Sequence, residues 1–224
     1  MFTTQFKDQG FVCIPRVLTD DECKTLTWST DQLNARSVGT RCLLSLVWAR
    51  HCVARLRQDP RISQVVPADY VAVQCTYFEK SASRNWLVPV HQDLSIPVAA
   101  RVEAAALGGW SEKEGALFVQ PPTSVLERLI AVRLHLDACG EPDGPLMVVP
   151  GTHTVGRIES EDAADIRRRA PMTPCLAAAG DALVMRPLLL HASSKASGTS
   201  LRRVLHFLFG PPVLPFGLRW HHTA

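Results

Sequence analysis

The sequence predicts an α+β fold in which amino-terminal helices pack on a core of antiparallel strands, arranged as a sandwich or barrel in the jelly-roll manner. Two observations lead there. Helical spacing with clear start and stop signals is concentrated in the first 60 residues, and from residue 70 onward the apolar residues fall in short runs bounded by turn-forming residues. Helices first and many short strands afterwards is the order of an α+β domain whose strands form their own core.

Element by element, Gly10 to Leu18 alternates loosely as a strand and runs into Thr19-Asp20-Asp21-Glu22. There Thr19 can cap a helix while Glu22 reaches back to its amide, and the helix continues towards Leu33. Leu43, Leu44, Val47, Val53 and Leu56 recur near helical spacing until Asp59-Pro60 stops them. Residues 70–79 and 86–93 read as strands, followed by a looser Gly-rich stretch from Ala99 to Gly115. The segment Gly108 to Pro122 reads as a loop long enough to be a lid, carrying Trp110, Lys113, Glu114 and Gln120. A short helix is expected at Pro121-Pro122. Residues 129–137, the turn Glu141 to Gly144 and Leu146 to Pro150 have the signature of a hairpin. Glu159 to Arg169 is a charged helix, and strands are expected at 173–178, 182–190 and 201–209.

The 224 residues suit one domain, 1–224, with a helical portion over 1–60 and a jelly-roll core over 68–210. Hydrophobic content of 46% with 20% charged residues is ordinary globular usage. A net charge of +3 without a basic tract argues against nucleic acid or an anionic membrane as partner and leaves a small-molecule substrate. No apolar run approaches the roughly 18 residues of a spanning helix. The opening MFTTQFKDQG has no secretory pattern and the final HHTA is no peroxisomal signal, so the cytoplasm is the expected compartment. Seven cysteines without a Cys-x-x-Cys pair suggest neither a disulfide framework nor a thiolate zinc site.

Eight histidines carry the most information. In His91-Gln92-Asp93, at a strand end, residues two apart share a face, so an imidazole and a carboxylate converge. That is two-thirds of the facial triad of a non-haem ferrous site. The motif alone is weak, since roughly 0.4 His-x-Asp occurrences are expected by chance. His135-Leu136-Asp137 has identical spacing on another predicted strand, and alternation does not choose between the two. Downstream, His191 ends a strongly apolar run, where a histidine is either satisfied by a neighbour or is a ligand. On the following strand Leu205, Phe207 and Phe209 share one face and Arg202, Val204 and His206 the other, so Arg202 can point inward, close to His191 across a hairpin. A buried arginine demands an anion, and its planar fork suits a carboxylate.

Taken together, Asn85-Trp86-x-Val88-Pro89-x-His91-Gln92-Asp93, Asp143-Gly144-Pro145-Leu146-x-Val148-x-Pro150-Gly151-Thr152-His153, and Gly180-Asp181 ahead of His191 and Arg202 resemble the phytanoyl-CoA dioxygenase family. The resemblance runs from Phe6 to Phe209 and implies a double-stranded β-helix and a dioxygenase using Fe(II), 2-oxoglutarate and O2. It implies that His91, Asp93 and His191 are the catalytic metal ligands, which favours the first His-x-Asp pair. Arg202, eleven positions after His191, matches the arginine that pairs with the distal carboxylate of 2-oxoglutarate, and Ser193 a hydroxyl that helps hold it. Gln74 is a candidate for the 1-carboxylate side. Parity offers Arg133 and His135 to the cavity, and with Trp86 and Gln120 they are the candidate substrate contacts; Lys80 and Trp86 flank the entrance. Val90 departs from the tryptophan that many members of the family carry before the metal histidine. Related halogenases have a small residue in place of Asp93, so its presence implies hydroxylation of a small organic substrate, with release of succinate and CO2. The alternative is a non-catalytic, cupin-like metal- or ligand-binding protein.

Overall fold

The structure, a computed structural model, describes residues 2–33, 39–199 and 201–224. It opens with α1 (Phe2–Gln9), β1 (Phe11–Ile14) and α2 (Asp20–Asp31). At α2 the expected capping box is present: Thr19 Oγ1 accepts from Glu22 N, and the Glu22 carboxylate accepts from Thr19 N at 2.7 Å. After β2 (Gly39–Thr40) and a single 3-10 turn at Leu43–Ser45 comes α3 (Val47–Gln58). Asp59 ends α3 and caps α4 (Pro60–Ser63), where proline's missing N–H costs nothing. The strands that follow are β3 (Val71–Lys80), β4 (Val88–His91), β5 (Ile96–Val98), β6 (Gly108–Lys113) and β7 (Ala116–Gln120). After α5 (Thr123–Leu126) come β8 (Ile130–His135), β9 (Leu146–Val148), α6 (Ser160–Arg169), β10 (Thr173–Cys175), β11 (Ala182–Met185), β12 (His191–Ser193) and β13 (Arg202–Gly210).

The strands form antiparallel sheets: six strands in the order β1-β11-β8-β13-β3-β2, four in the order β10-β9-β12-β4, and three in the order β5-β7-β6. Strand alternation gives the six-stranded sheet two different faces. Leu205, Phe207 and Phe209 of β13 pack with Cys52, Val53 and Leu56 of α3 and Leu26 of α2, so the helices cover the outer face. On the inner face Val73, Ala131, Leu183, Met185 and Leu208 pack with Leu146, Val148 and Cys175 of the four-stranded sheet. The second apolar cluster is therefore shared by the two sheets. Among the described residues no helix is long and apolar enough to cross a membrane.

Several sequence expectations are corrected. Residues 1–60 supply strands β1 and β2 as well as helices, and α1, in which only Phe6 is buried, lacks the apolar face that would announce it. The expected lid over Gly108 to Pro122 is largely the β6–β7 hairpin, turning at Glu114-Gly115 where both residues take positive φ. The expected hairpin of 129–137 with 146–150 does not form: β8 pairs with β11 and β13, and β9 pairs with β10 and β12. The run 182–190 is broken after Met185 by a turn containing Pro187, in which Leu189 N donates to Arg186 O. The chain thereby changes sheet, so β12 and β13 belong to different sheets and His191 is not across a hairpin from Arg202.

Candidate metal centre and its cavity

Three donors meet at the end of β4. His91, Asp93 and His191 each offer a ligand atom, and these atoms lie within 4.8 Å of one another. β4 and β12 place them: His91 and His191 are directly opposed in the antiparallel register, with ring centroids 4.2 Å apart. Asp93 follows two residues later, its amide donating to Pro187 O at 2.9 Å. Nδ1 of His91 lies 2.8 Å from Pro89 O and Nδ1 of His191 lies 2.8 Å from Leu189 O. A carbonyl only accepts, so each Nδ1 carries the hydrogen and each Nε2 keeps its lone pair. Those Nε2 atoms are each 3.8 Å from a different Asp93 oxygen. Donors so spaced can be spanned by one cation bonded at roughly 2.0–2.2 Å, and the carbonyl partners are the outer contacts that fix ligand imidazoles.

The electrostatics agree with this fit. Burial, with a further contribution from the His91 side, brings His191 down to about 4, so it is neutral and free to coordinate. Burial acts to raise the Asp93 pKa, but His191, His206, His91 and Arg133 outweigh it and hold the carboxyl below its ordinary value. Gln92, between the two candidate donors, turns its side-chain amide to the backbone instead. Its amide donates to Gly156 O and Leu188 O and accepts from Ile158 N, anchoring the strand end.

The donors open onto a cavity of about 430 Å³. Its wall also carries Gln74, Trp86, Gln120, Arg133, Ser193 and Arg202 from among the residues singled out in the sequence. Arg202 is 4% exposed. Its Nη1 donates to Gly144 O, its Nε meets no acceptor, and no ion pair involves it among the described residues. Ser193 Oγ donates to the same Gly144 carbonyl at 2.9 Å and accepts from Lys80 Nζ at 2.6 Å. Gly144 thus explains the Asp143-Gly144-Pro145 motif. It stands at φ +62°, and a Cβ there would fall 2.6 Å from Ser194 O. Gly144→Ala is expected to destabilise the fold by about 1–3 kcal/mol, measured by urea unfolding; unchanged stability would contradict this reading of the turn.

A sequence model of the phytanoyl-CoA dioxygenase family matches residues 6–204. The chain belongs to the phytanoyl-CoA dioxygenase family. None of the curated proteins matches it in sequence. Among solved structures it resembles HygX from Streptomyces hygroscopicus with nickel and 2-oxoglutarate bound, at TM-score 0.67 and 14% identity over 94% of this chain and 86% of that one. The epimerase SnoN from nogalamycin biosynthesis, in complex with Fe3+, alpha ketoglutarate and nogalamycin RO, gives TM-score 0.69 and 16% identity over 96% and 86%. AviO1 from Streptomyces viridochromogenes Tue57 gives 0.70 and 20% over 96% and 95%. At these identities the likeness is one of fold.

In this phytanoyl-CoA dioxygenase family member the second His-x-Asp pair does not assemble a site. β8 ends at His135 just as β4 ends at His91, but no second histidine stands opposite His135, and Asp137 is taken by Arg203, Oδ1 to Nη2 at 2.7 Å. His135 is buried, but it is not part of the cavity wall as the sequence suggested. Its partner in the register is Val204, which puts it between the rows of Arg202 and Arg133, whose longer side chains reach the wall. Lys80 does not flank an entrance: it is fully buried, with Nζ bonded to Ser193 Oγ and Ser194 O and 5.3 Å from the Trp86 ring centroid. Burial and the Arg202 charge bring it down to about 8. His206, which shares its face of β13 with Arg202 but was not among the expected site residues, is also buried and lines the cavity.

His135 has a stability consequence. Neither ring nitrogen finds a partner, and burial together with Arg133 and Arg202 brings its pKa from 6.5 to about 3. Between those values the unfolded chain binds a proton that the folded chain refuses, so stability falls as pH drops below 6.5, by up to about 1.4 kcal/mol per pH unit. His135→Leu is expected to raise Tm more at pH 5 than at pH 7.5. An equal change at both would contradict it.

Proposed function

We propose that the chain is an Fe(II)- and 2-oxoglutarate-dependent dioxygenase that hydroxylates a compact organic substrate. On this reading 1–224 is one domain whose six- and four-stranded sheets form a double-stranded β-helix around the cavity. The observation that carries the proposal is the convergence of two imidazoles and one carboxylate beside a buried guanidinium that has no ion-pair partner among the described residues. His91, Asp93 and His191 would hold the metal on one face, leaving the opposite face to the cavity. Bound there, iron with 2-oxoglutarate and O2 supplies oxidising power, coupling decarboxylation to succinate and CO2 with hydroxylation of a substrate carbon.

The protein's own groups position the reactants. Arg202, whose Nη1 is held by Gly144 O and whose Nε has no acceptor, would pair with the distal carboxylate of 2-oxoglutarate. Ser193 accepts from Lys80 and gives its hydrogen to Gly144 O, and it would help hold the same carboxylate by turning that hydrogen towards it. Gln74, Trp86, Gln120 and Arg133 line the same cavity; Gln74 would meet the other end of the co-substrate, and the other three would border the space left for substrate. This wall has to hold the reacting carbon near the metal and keep water out. Asp93 fills the position where a halogenase has a small residue, which favours transfer of hydroxyl over halide. Purified protein given Fe(II), ascorbate and 2-oxoglutarate is expected to release succinate even without substrate, at a slow uncoupled rate. Its complete absence, with iron bound, would overturn the proposal in favour of a ligand-binding role.

A further inference from the structure

We propose that Thr76, His206 and Arg133 form a second anion site in the cavity, separate from Arg202, which receives a carboxylate or phosphate group of the primary substrate. The inference rests on the oxygenase reading above and gives its substrate a chemical class. The three residues lie in one row across neighbouring strands, His206 of β13 standing opposite both Thr76 of β3 and Arg133 of β8. All three line the cavity.

The row offers hydrogens and no matching acceptors. Arg133 Nη1 donates to His206 Nδ1 at 3.1 Å. A guanidinium cannot accept, so Nδ1 must be the acceptor and the hydrogen of this imidazole sits on Nε2. Burial and the Arg133 charge bring His206 down to about 3, which keeps the ring neutral in that tautomer. Gln74 Nε2 donates to Thr76 Oγ1 at 2.9 Å, leaving the hydroxyl hydrogen for another partner. Arg133 itself is 8% exposed, its Nε meets no acceptor, and among the described residues it makes no ion pair. The Phe78 ring lies 5.6 Å from its guanidinium carbon and shields that side from water.

A buried cation in such a place calls for an anion. Asp93 is the one carboxylate among the described residues on the wall, and it belongs to the metal set. In the loaded enzyme the divalent ion, Asp93, a doubly charged 2-oxoglutarate and Arg202 cancel. Arg133 then remains uncompensated. Also on the wall, Arg41 is already paired with Glu114 at 2.9 Å, whereas Lys113 lies over Phe118 and adds to the attraction for an anion. The volume, about 430 Å³, is at the lower end of ligand pockets at roughly 300–1,000 Å³. Shared with a co-substrate, it admits a compact anion.

The full-length protein loaded with Ni(II) and 2-oxoglutarate, which does not turn over, allows a calorimetric test with phenylacetate, phenyl phosphate and the neutral phenylacetamide. One of the two anions is expected to bind at least about tenfold more tightly than the amide, and which one it is separates carboxylate from phosphate. In Arg133→Gln that preference should vanish while 2-oxoglutarate affinity changes by less than about threefold. Equal affinity of the wild type for all three probes, or no binding of any, overturns the assignment without needing a variant. So does an Arg133→Gln protein that loses 2-oxoglutarate but keeps the anion preference, since Arg133 would then serve the co-substrate. Failure of the nickel-loaded wild type to bind 2-oxoglutarate at all overturns the oxygenase reading, and this assignment with it.

Discussion

His91→Ala and Asp93→Ala are each expected to abolish the visible charge-transfer band that Fe(II) and 2-oxoglutarate give together without oxygen, and with it succinate formation. Either change removes one of three donors that already lie within 4.8 Å of one another and that have no replacement nearby among the described residues. The loss should exceed the roughly 10–100-fold cost of removing an outer partner of a metal ligand. His135→Ala should leave the band in place, because His135 lies off the cavity wall and the companion Asp137 is engaged by Arg203. The opposite pattern would mean that the metal binds elsewhere. Anaerobic absorption spectra of the three variants distinguish these outcomes.

Arg202→Leu should act on the co-substrate alone. Truncating one member of a buried charge pair costs about 2–5 kcal/mol, so the 2-oxoglutarate Kd should rise by roughly 30-fold to a few thousand-fold. Iron affinity should hardly change, since the ligands are untouched. The same substitution is expected not to lower Tm in the absence of 2-oxoglutarate, because it removes a buried cation that makes no ion pair among the described residues. Arg202→Lys keeps the charge without the fork and should fall between. A 2-oxoglutarate Kd within threefold of the wild type in Arg202→Leu, with the charge-transfer band intact, would remove Arg202 from the site.

Local chemistry made much of this legible in the sequence. The Thr19–Glu22 box, the Asp59-Pro60 stop and the alternation of β13 depend on neighbours in the chain, and each is found where its residues place it. The residues that converge at the cavity could be named because polar groups on otherwise apolar strands need a reason to be buried. What remained hidden is non-local. The two His-x-Asp pairs are equivalent in spacing, and both strands end at the histidine; they differ because His91 has His191 opposite it whereas His135 has Val204, facts of sheet pairing. Gly108 and Gly109 disguise β6 as loop, since glycine adds no side chain to an alternating pattern. The change of sheet at Pro187 moved His191 away from β13, a step that no local pattern encodes. Lys80, expected at the entrance, is instead buried because the register sets it opposite Arg202 and beside Ser193.

The most direct measurement is anomalous diffraction at the iron edge from crystals grown without oxygen in Fe(II) and 2-oxoglutarate. The account predicts one strong peak bonded to Nε2 of His91, Nε2 of His191 and a carboxylate oxygen of Asp93 at roughly 2.0–2.2 Å, with the far carboxylate of the co-substrate on Arg202. A peak held by other residues, or iron-saturated protein with no peak between these three side chains, would contradict it.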